Sequence, residues 1–403
     1  MRYLLYRLKH VFQWRLRWKE AQAFSLFLLS WLLFRFFRKE KHLWLFAERG
    51  TDARDNGYWM FRHVMEHYPE VNAKFIISKD SEDRKKLSGW EDRLVPFGTF
   101  RHYLMIWQAA CAISTHVGGY LPYYIREVPA FRRLYHQWAP LIRLVWLQHG
   151  VIMNDMPQYH FGRTHLDLLV CGAKPEHTFI STTFGFPKGV VRYLGLARYD
   201  QLHDVQVNRR QILLMPTWRQ WLLKKKAFLE SDYLHTYAAL LADGRLHRLL
   251  QDNGLTLVFY PHYEVQPYVD EFRSKLLPDC ILIADKAHYD VQRLLKESAL
   301  LITDYSSVGL DFAYMRKPLV YFQFDEQAFW KGHYCRGYYD YHQGLGDWCD
   351  TVAGLLSILE RSIRHNFQMS DVYRKRADEF FPLQDTSNSE RNFMAIRRLL
   401  EKE

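Results

Sequence analysis

Residues 300–315 read LLITDYSSVGLDFAYM. The run Leu300–Thr303 is apolar and stops at an acid. Two hydroxyl residues follow, and apolar residues then recur at helical spacing to Met315. A short apolar run that ends in polar residues and passes into a helix is the building unit of a parallel sheet. In open sheets of this kind, ligands lie beyond the carboxyl ends of the strands. The run Thr303-Asp304-Tyr305-Ser306-Ser307 therefore stands where chemistry is expected. First-turn N–H groups of the following helix lack partners and the helix dipole favours negative charge, so these hydroxyls and N–H groups form a candidate anion site. Ordinary capping accounts for one Ser, not for the whole run.

The same unit recurs along the chain. Apolar runs at Leu43–Ala47, Lys74–Ile77, Cys111–Ser114, Leu144–Gln148, Leu166–Cys171 and Arg192–Leu194 read as one series of buried strands, with helical segments such as Tyr58–Tyr68 and Phe100–Ala109 between them. A second series follows at Ile212–Met215, Leu255–Tyr260, Ile281–Ala284, Leu300–Thr303 and Leu319–Phe322. Two successive series predict an α/β protein of two doubly wound (Rossmann-like) domains with a cleft between them. The boundary falls near Asp200–Val207, which gives domains of residues 44–205 and 206–403, the second including the closing helices. A length of 403 residues suits two such cores.

Three further polar groups directly follow strands. Gln148-His149-Gly150 comes after LVWL: a His whose ordinary pKa suits proton removal near neutrality stands beside a Gly that lets a substrate approach the backbone. Met215-Pro216-Thr217-Trp218-Arg219 follows ILLM, and the Arg219 fork fits phosphate oxygens. Tyr260-Pro261-His262-Tyr263 follows TLVF and supplies a second His from the other domain. Each group has a bland reading: a hydrogen-bonding core His, or an Arg–Trp surface pair. Together, after consecutive strands, they point to one site in which two histidines serve the two ends of a displacement.

The net charge is +11. In residues 1–43, ten Arg and Lys face only Glu20 and Glu40, a balance of +8 that leaves +3 for the other 360 residues. A basic arm on a nearly neutral body predicts a local anionic partner. The greasiest stretch, Ala23–Phe34, is twelve residues long. That is short of the roughly 20 needed to span a bilayer, and no small-residue cleavage site follows it. Aromatic residues mixed with Arg and Lys suit a helix lying in the interface of an anionic membrane. Packing on the body or against a second copy of the chain is the competing reading, so a homo-oligomer stays open. Nucleic acid is not expected, because no nucleic-acid motif accompanies the arm. The five cysteines are scattered without a CxxC pair, which reads as reduced thiols without a disulfide framework or structural zinc.

At these residues the sequence resembles the CDP-glycerol glycerophosphotransferase family, which includes teichoic acid primases and glycerol-phosphate or ribitol-phosphate polymerases. The resemblance runs over residues 44–385. It is densest in Asp290, Leu294-Leu295, Leu301 to Ser307, Asp311-Phe312, Lys317-Pro318, Asp325 and Arg336-Gly337-Tyr338; Asp55-Asn56, His149-Gly150, Pro216 to Arg219 and Pro261-His262 also match. It implies a GT-B-like fold and transfer of a polyol phosphate with release of CMP. It also implies no cofactor beyond the CDP-polyol substrate, no required metal, and a peripheral (monotopic) position on the cytoplasmic face of a bacterial membrane. By position, His149 resembles the base for the acceptor hydroxyl, and Asn56 and Gly150 lie on the acceptor side. His262, Thr303, Ser306, Ser307 and Asp311 resemble the donor site, with Arg219 and Arg336 as auxiliaries. The implied partners are CDP-glycerol or CDP-ribitol, a lipid-linked or polysaccharide acceptor, and an anionic membrane surface.

The family often reads Trp-His-Gly-Thr-Pro-Leu-Lys at the base. Here residues 148–154 read QHGVIMN, and the Lys is absent. Acceptor identity is left open by that change, with teichoic acid and capsule both compatible. Two rival functions share parts of the pattern. A GT-B glycosyltransferase using a nucleotide sugar would have the same fold, but many place a Glu near the Thr-Asp-Tyr-Ser-Ser run. A non-catalytic membrane scaffold would have no use for His149 and His262.

Overall fold

The computed structural model describes residues 18, 21–37, 42–122, 135, 137–138, 142–203, 205–285 apart from 274–276, and 287–401. Most of the basic arm, including residues 1–17, lies outside the described residues.

The first sheet contains β1 (Trp44–Ala47), β2 (Ala73–Ile77), β3 (Leu94–Pro96), β4 (Cys111–Ser114), β5 (Arg143–Trp146), β6 (Leu168–Cys171) and β7 (Val191–Tyr193). Its order is β3-β2-β1-β4-β5-β6-β7, and every pairing is parallel. The second contains β8 (Asn208–Leu214), β9 (Thr256–Phe259), β10 (Ile281–Ile283), β11 (Ser298–Thr303), β12 (Leu319–Phe322) and β13 (Asp347–Cys349). Its order is β10-β9-β8-β11-β12-β13, again parallel throughout. Central strands β1, β4 and β11 are buried along their whole length, as strands covered by helices on both faces must be. In each sheet the winding reverses beside the first strand, between β1 and β4 and between β8 and β11, and such switch points are where doubly wound folds bind ligands. The result is a two-domain, GT-B-like α/β fold.

Two strands escaped the sequence reading. Both β3 and β13 are three-residue edges; β3 ends in Pro96, which has no N–H to donate, and β13 reads Asp-Trp-Cys. The last helix, Asn388–Leu400, also departs from expectation: it returns to the first domain. Phe393 stacks on Tyr68 at 3.7 Å and packs on Trp44, and Glu390 accepts from Tyr68 Oη at 2.8 Å. The chain therefore crosses between domains twice, which fastens one to the other.

Residues 21–33 are helical and pack on the first domain by one stripe. Phe27 is fully buried against Trp107, and Ser30 Oγ accepts from Trp107 Nε1 at 2.9 Å. Leu29 and Leu32 on this helix, and Phe36 and Phe37 just beyond it, stay exposed. The packed-helix reading thus holds for one face, while an apolar surface remains on the outside. No helix among the described residues is long and apolar enough to cross a membrane.

Candidate active site

The loops after β1, β4 and β5 in the first domain and after β8, β9 and β11 in the second converge on one cleft. Local chemistry fixes each loop. Glu48, just past β1, accepts the backbone N–H groups of Arg54, Asp55 and Tyr58. Glu176 does the same for Ile152, Gly172 and Ala173 beside the β5 loop. Burial, with Asp55 beside it, pushes Glu48 up to about 8; burial pushes Glu176 up to about 7.

Gln148 turns the chain sharply, with φ +60°, and is itself anchored. Its Nε2 donates to Val170 O at 2.7 Å, and its carbonyl accepts from Asn56 Nδ2 at 2.7 Å. This turn pushes His149 out of the core and into the cleft. The His149 ring stacks on His116 at 4.9 Å, nearly parallel. Although the ring meets solvent in the cleft, protein crowds it on most sides. Desolvation there, reinforced by Arg49 and Arg198, lowers its pKa to about 4. His262, from the second domain, is half-buried beside Trp218 and likewise lowered to about 4, by burial first and then by Arg49 and His333. Both rings are neutral at pH 7 and able to accept a proton or a hydrogen bond.

Ser306 and Ser307 lie between β11 and helix Val308–Tyr314 and are partly exposed to the cleft. Ser307 stands at the helix N-cap and makes no side-chain capping bond. A Cβ on Gly150 would come within 2.6 Å of Ser307 Oγ, so the absence of a side chain at 150 lets the base loop and the serine loop meet. His149, Gly150, His262, Ser306 and Ser307 are thus brought together at the domain junction. Arg336 lies at the rim, its side chain 69% exposed, over Trp330 and 3.3 Å from Glu326.

Four candidates support the site from behind instead of facing it. Asn56 is fully buried; besides holding Gln148, its Oδ1 accepts from Arg198 N at 3.0 Å. Thr303 Oγ1 donates to Met215 O at 2.7 Å and stitches β11 to the end of β8. Arg219 is 1% exposed. Its Nε lies 2.7 Å from Asp325 and its Nη1 2.9 Å from Asp304, which leaves no route to a phosphate in the cleft. Asp311 is buried, and both its oxygens accept from Arg198 Nη2 at 2.8 Å. The reason is common to all four: each polar side chain has a buried partner and turns inward to it.

Sequence reasoning passed over Arg198, Arg49 and His116. Arg198 is buried and joins both domains: Asp311 on one side, Asp55 at 3.0 Å and the His149 carbonyl at 2.8 Å on the other. Arg49 Nε donates to His116 Nε2 at 3.0 Å, and its guanidinium carbon stands 5.5 Å from the Tyr263 ring centre of the other domain. Arg49 and His116 each lie two residues past a strand, β1 and β4, so the strand-end rule applied to every strand would have reached them. All five cysteines are free. Among the described residues, no group of three His, Cys, Asp or Glu is placed to hold a metal ion.

The family model for CDP-glycerol:poly(glycerophosphate) glycerophosphotransferases matches residues 26–397. The chain belongs to that family. It is 31% identical over 375 residues to the minor teichoic acid biosynthesis protein GgaB of Bacillus subtilis (strain 168), an alignment covering 89% of this chain and 40% of GgaB. It is 22% identical over 390 residues to the teichoic acid poly(ribitol-phosphate) polymerase of Bacillus spizizenii, covering 93% and 60%. The chain thus spans less than two-thirds of the length of these curated relatives. Among solved structures, the H444N variant of the wall teichoic acid polymerase TagF superposes with a TM-score of 0.68 over 97% of this chain and 98% of that one, at 16% identity. That likeness shows the shared fold.

Proposed function

We propose that the chain transfers a polyol phosphate from a CDP-activated donor to an acceptor hydroxyl, releasing CMP, in the making of teichoic acid or a capsular polymer. CDP-glycerol is the first candidate donor and CDP-ribitol the second. The acceptor is lipid-linked or a polysaccharide. Membership of a glycerophosphotransferase family supports the reaction class. The observation that carries the reading is a pair of histidines, one from each domain, joined across the cleft through His116, Arg49 and Tyr263, with the neighbouring Gly150 in contact with Ser307 of the β11 loop.

In this mechanism the acceptor hydroxyl enters from the first domain and gives its proton to His149. The new O–P bond forms on the phosphorus bearing the polyol. The bond from that phosphorus to the bridging oxygen breaks in line, and the electron pair leaves on CMP. His262 and the Ser306 and Ser307 hydroxyls take the charge that develops on the phosphoryl oxygens. The enzyme works at the cytoplasmic face of the cell membrane. The basic arm and the exposed apolar side of helix 21–33 support contact with an anionic lipid surface.

Incubation of the protein with CDP-glycerol and, separately, CDP-ribitol, each with membrane extract, tests the reading. CMP release from one donor confirms phosphoryl transfer and names the polyol. Release of a nucleoside diphosphate from a nucleotide sugar, with no CMP from either CDP donor, would instead make the protein a glycosyltransferase. Flotation with anionic vesicles tests the membrane assignment, and a second copy of the chain on the same apolar face would appear as a dimer by light scattering.

A further inference from the structure

Arg219 is spent inside the second domain, Arg336 stands out at the rim, and residue 154 is Asn where the family often has Lys. A dianionic leaving and transferring group still needs a cation. The cleft holds one on a continuous path of side chains: His149 stacks on His116, His116 accepts from Arg49 Nε at 3.0 Å, Arg49 lies over Tyr263, and the Tyr263 ring is 4.3 Å from that of His262. The guanidinium therefore sits between the two candidate catalytic histidines. It is exposed to the cleft, where a ligand can reach it. Its nearness to both rings is echoed in their titration: after burial, Arg49 is the largest influence lowering each.

We propose that Arg49 is the cation that receives the polyol-bearing phosphate of the donor, with His116 as the positioning residue that aims it. This rests on the diphosphate-donor reading given above. His116 is suited to the task. Its Nδ1 is 2.9 Å from Thr115 Oγ1, and an Nδ1–H donated there leaves Nε2 as an acceptor for Arg49. The Arg49 fork is then fixed in one plane, and planar forks match phosphate oxygens in pairs.

Binding of CDP and of CMP, measured by calorimetry without any acceptor, separates this idea from the transfer reaction. CDP carries the second phosphate and CMP does not. Arg49→Gln is expected to weaken CDP by about 10- to 100-fold, the worth of a charge-assisted bond, and to leave CMP unchanged. Arg49→Lys, which keeps the charge but loses the fork, should fall between. His116→Leu should weaken CDP in the same selective way, and His116→Gln, whose Oε1 can accept from Arg49 Nε, should restore it. Unchanged CDP binding in Arg49→Gln, or equal losses for CDP and CMP, overturns the proposal. If the wild-type protein prefers UDP or inorganic pyrophosphate to CDP, the donor reading fails, while an Arg49-dependent loss for those diphosphates upholds the role of Arg49. A wild-type protein that binds no diphosphate overturns both.

Discussion

Replacing Arg219 by Met keeps most of the side-chain stem but removes the guanidinium that Asp304 and Asp325 share. Arg219 Nε and Nη2 meet the two Asp325 oxygens at 2.7 and 3.0 Å, and Nη1 donates to Thr217 O at 2.8 Å. Asp304 Oδ2 lies 2.9 Å from Nη1 but is not aligned as a hydrogen bond, so this contact is mainly Coulombic. Burial raises the pKa of Asp304 and Arg219 opposes that rise. Without the cation, two acids remain in a desolvated space. Removing one partner of a buried ion pair costs about 3–5 kcal/mol. For a domain of this size each kcal/mol lowers the melting midpoint by about 2–4 °C, so the fall should be about 6–20 °C. Thermal unfolding followed by circular dichroism reads the midpoint, and calorimetry in the cold reads CDP binding. The expected result is a lowered midpoint with CDP affinity close to wild type. Adding Asp304→Asn and Asp325→Asn should recover part of the loss, because the uncompensated charges disappear. An unchanged midpoint together with lost CDP binding would refute the reasoning and return Arg219 to the donor phosphates.

Three other outcomes are expected. His149→Ala should abolish transfer and keep CDP binding, whereas Ser306→Ala with Ser307→Ala should weaken the donor; equal binding losses by calorimetry would sink this division of roles. Because His149 is lowered to about 4, the acid limb of kcat/KM for the free enzyme should lie well below the ordinary His value of about 6.5, and a limb at that ordinary value would show a base in open water. Stability has the same sign: His102, His149, His262 and His333 are all lowered to about 4 in the folded state, so their contribution is full above the unfolded value and fades as pH falls from about 6.5 toward 4. Urea midpoints that stay level between pH 7 and that lower limit would contradict it.

Much of the fold is written in short apolar runs, and the reason is physical. A strand covered on both faces must be apolar throughout, as Leu300 to Thr303 and Leu319 to Phe322 are. Edge strands have no such need: Val191–Tyr193 and Ile281–Ile283 sit in apolar enough surroundings to be read, whereas Leu94–Pro96 stops at a Pro and Asp347–Cys349 starts with an acid, and neither makes an apolar run. At the site, strand-end position found His149, His262, Ser306 and Ser307. It could not tell a residue that faces the cleft from one that turns back. What decides that is a partner far along the chain: Asp325 for Arg219 is 106 residues away, and Arg198 for Asp311 is 113. No local pattern encodes such pairs. Arg49 and His116 were legible by position but carried no motif to draw attention to them.

The two edges of the cleft are held by contacts of very different strength, and this bears on how substrates enter. At one edge Arg198 is buried and paired with Asp311 through both carboxylate oxygens, while it also holds Asp55 and the His149 carbonyl. Removing Arg198 would strand the buried Asp311 and the half-buried Asp55, again at about 3–5 kcal/mol. Opening the cleft there would also pull the base away from the helix that follows the serines. At the other edge the domains touch through exposed Arg49 and exposed Tyr263, a cation–π contact worth about 0.5–1 kcal/mol at such a site. This is the more exposed of the two edges, and it is the edge where the proposed phosphate cation sits. Entry from that side lets a donor diphosphate take the place of the Tyr263 face over Arg49 without disturbing the Arg198 tie. On this argument Arg198→Met should reduce transfer mainly through displacement of His149, and Tyr263→Ala should ease donor entry while leaving the domain junction intact.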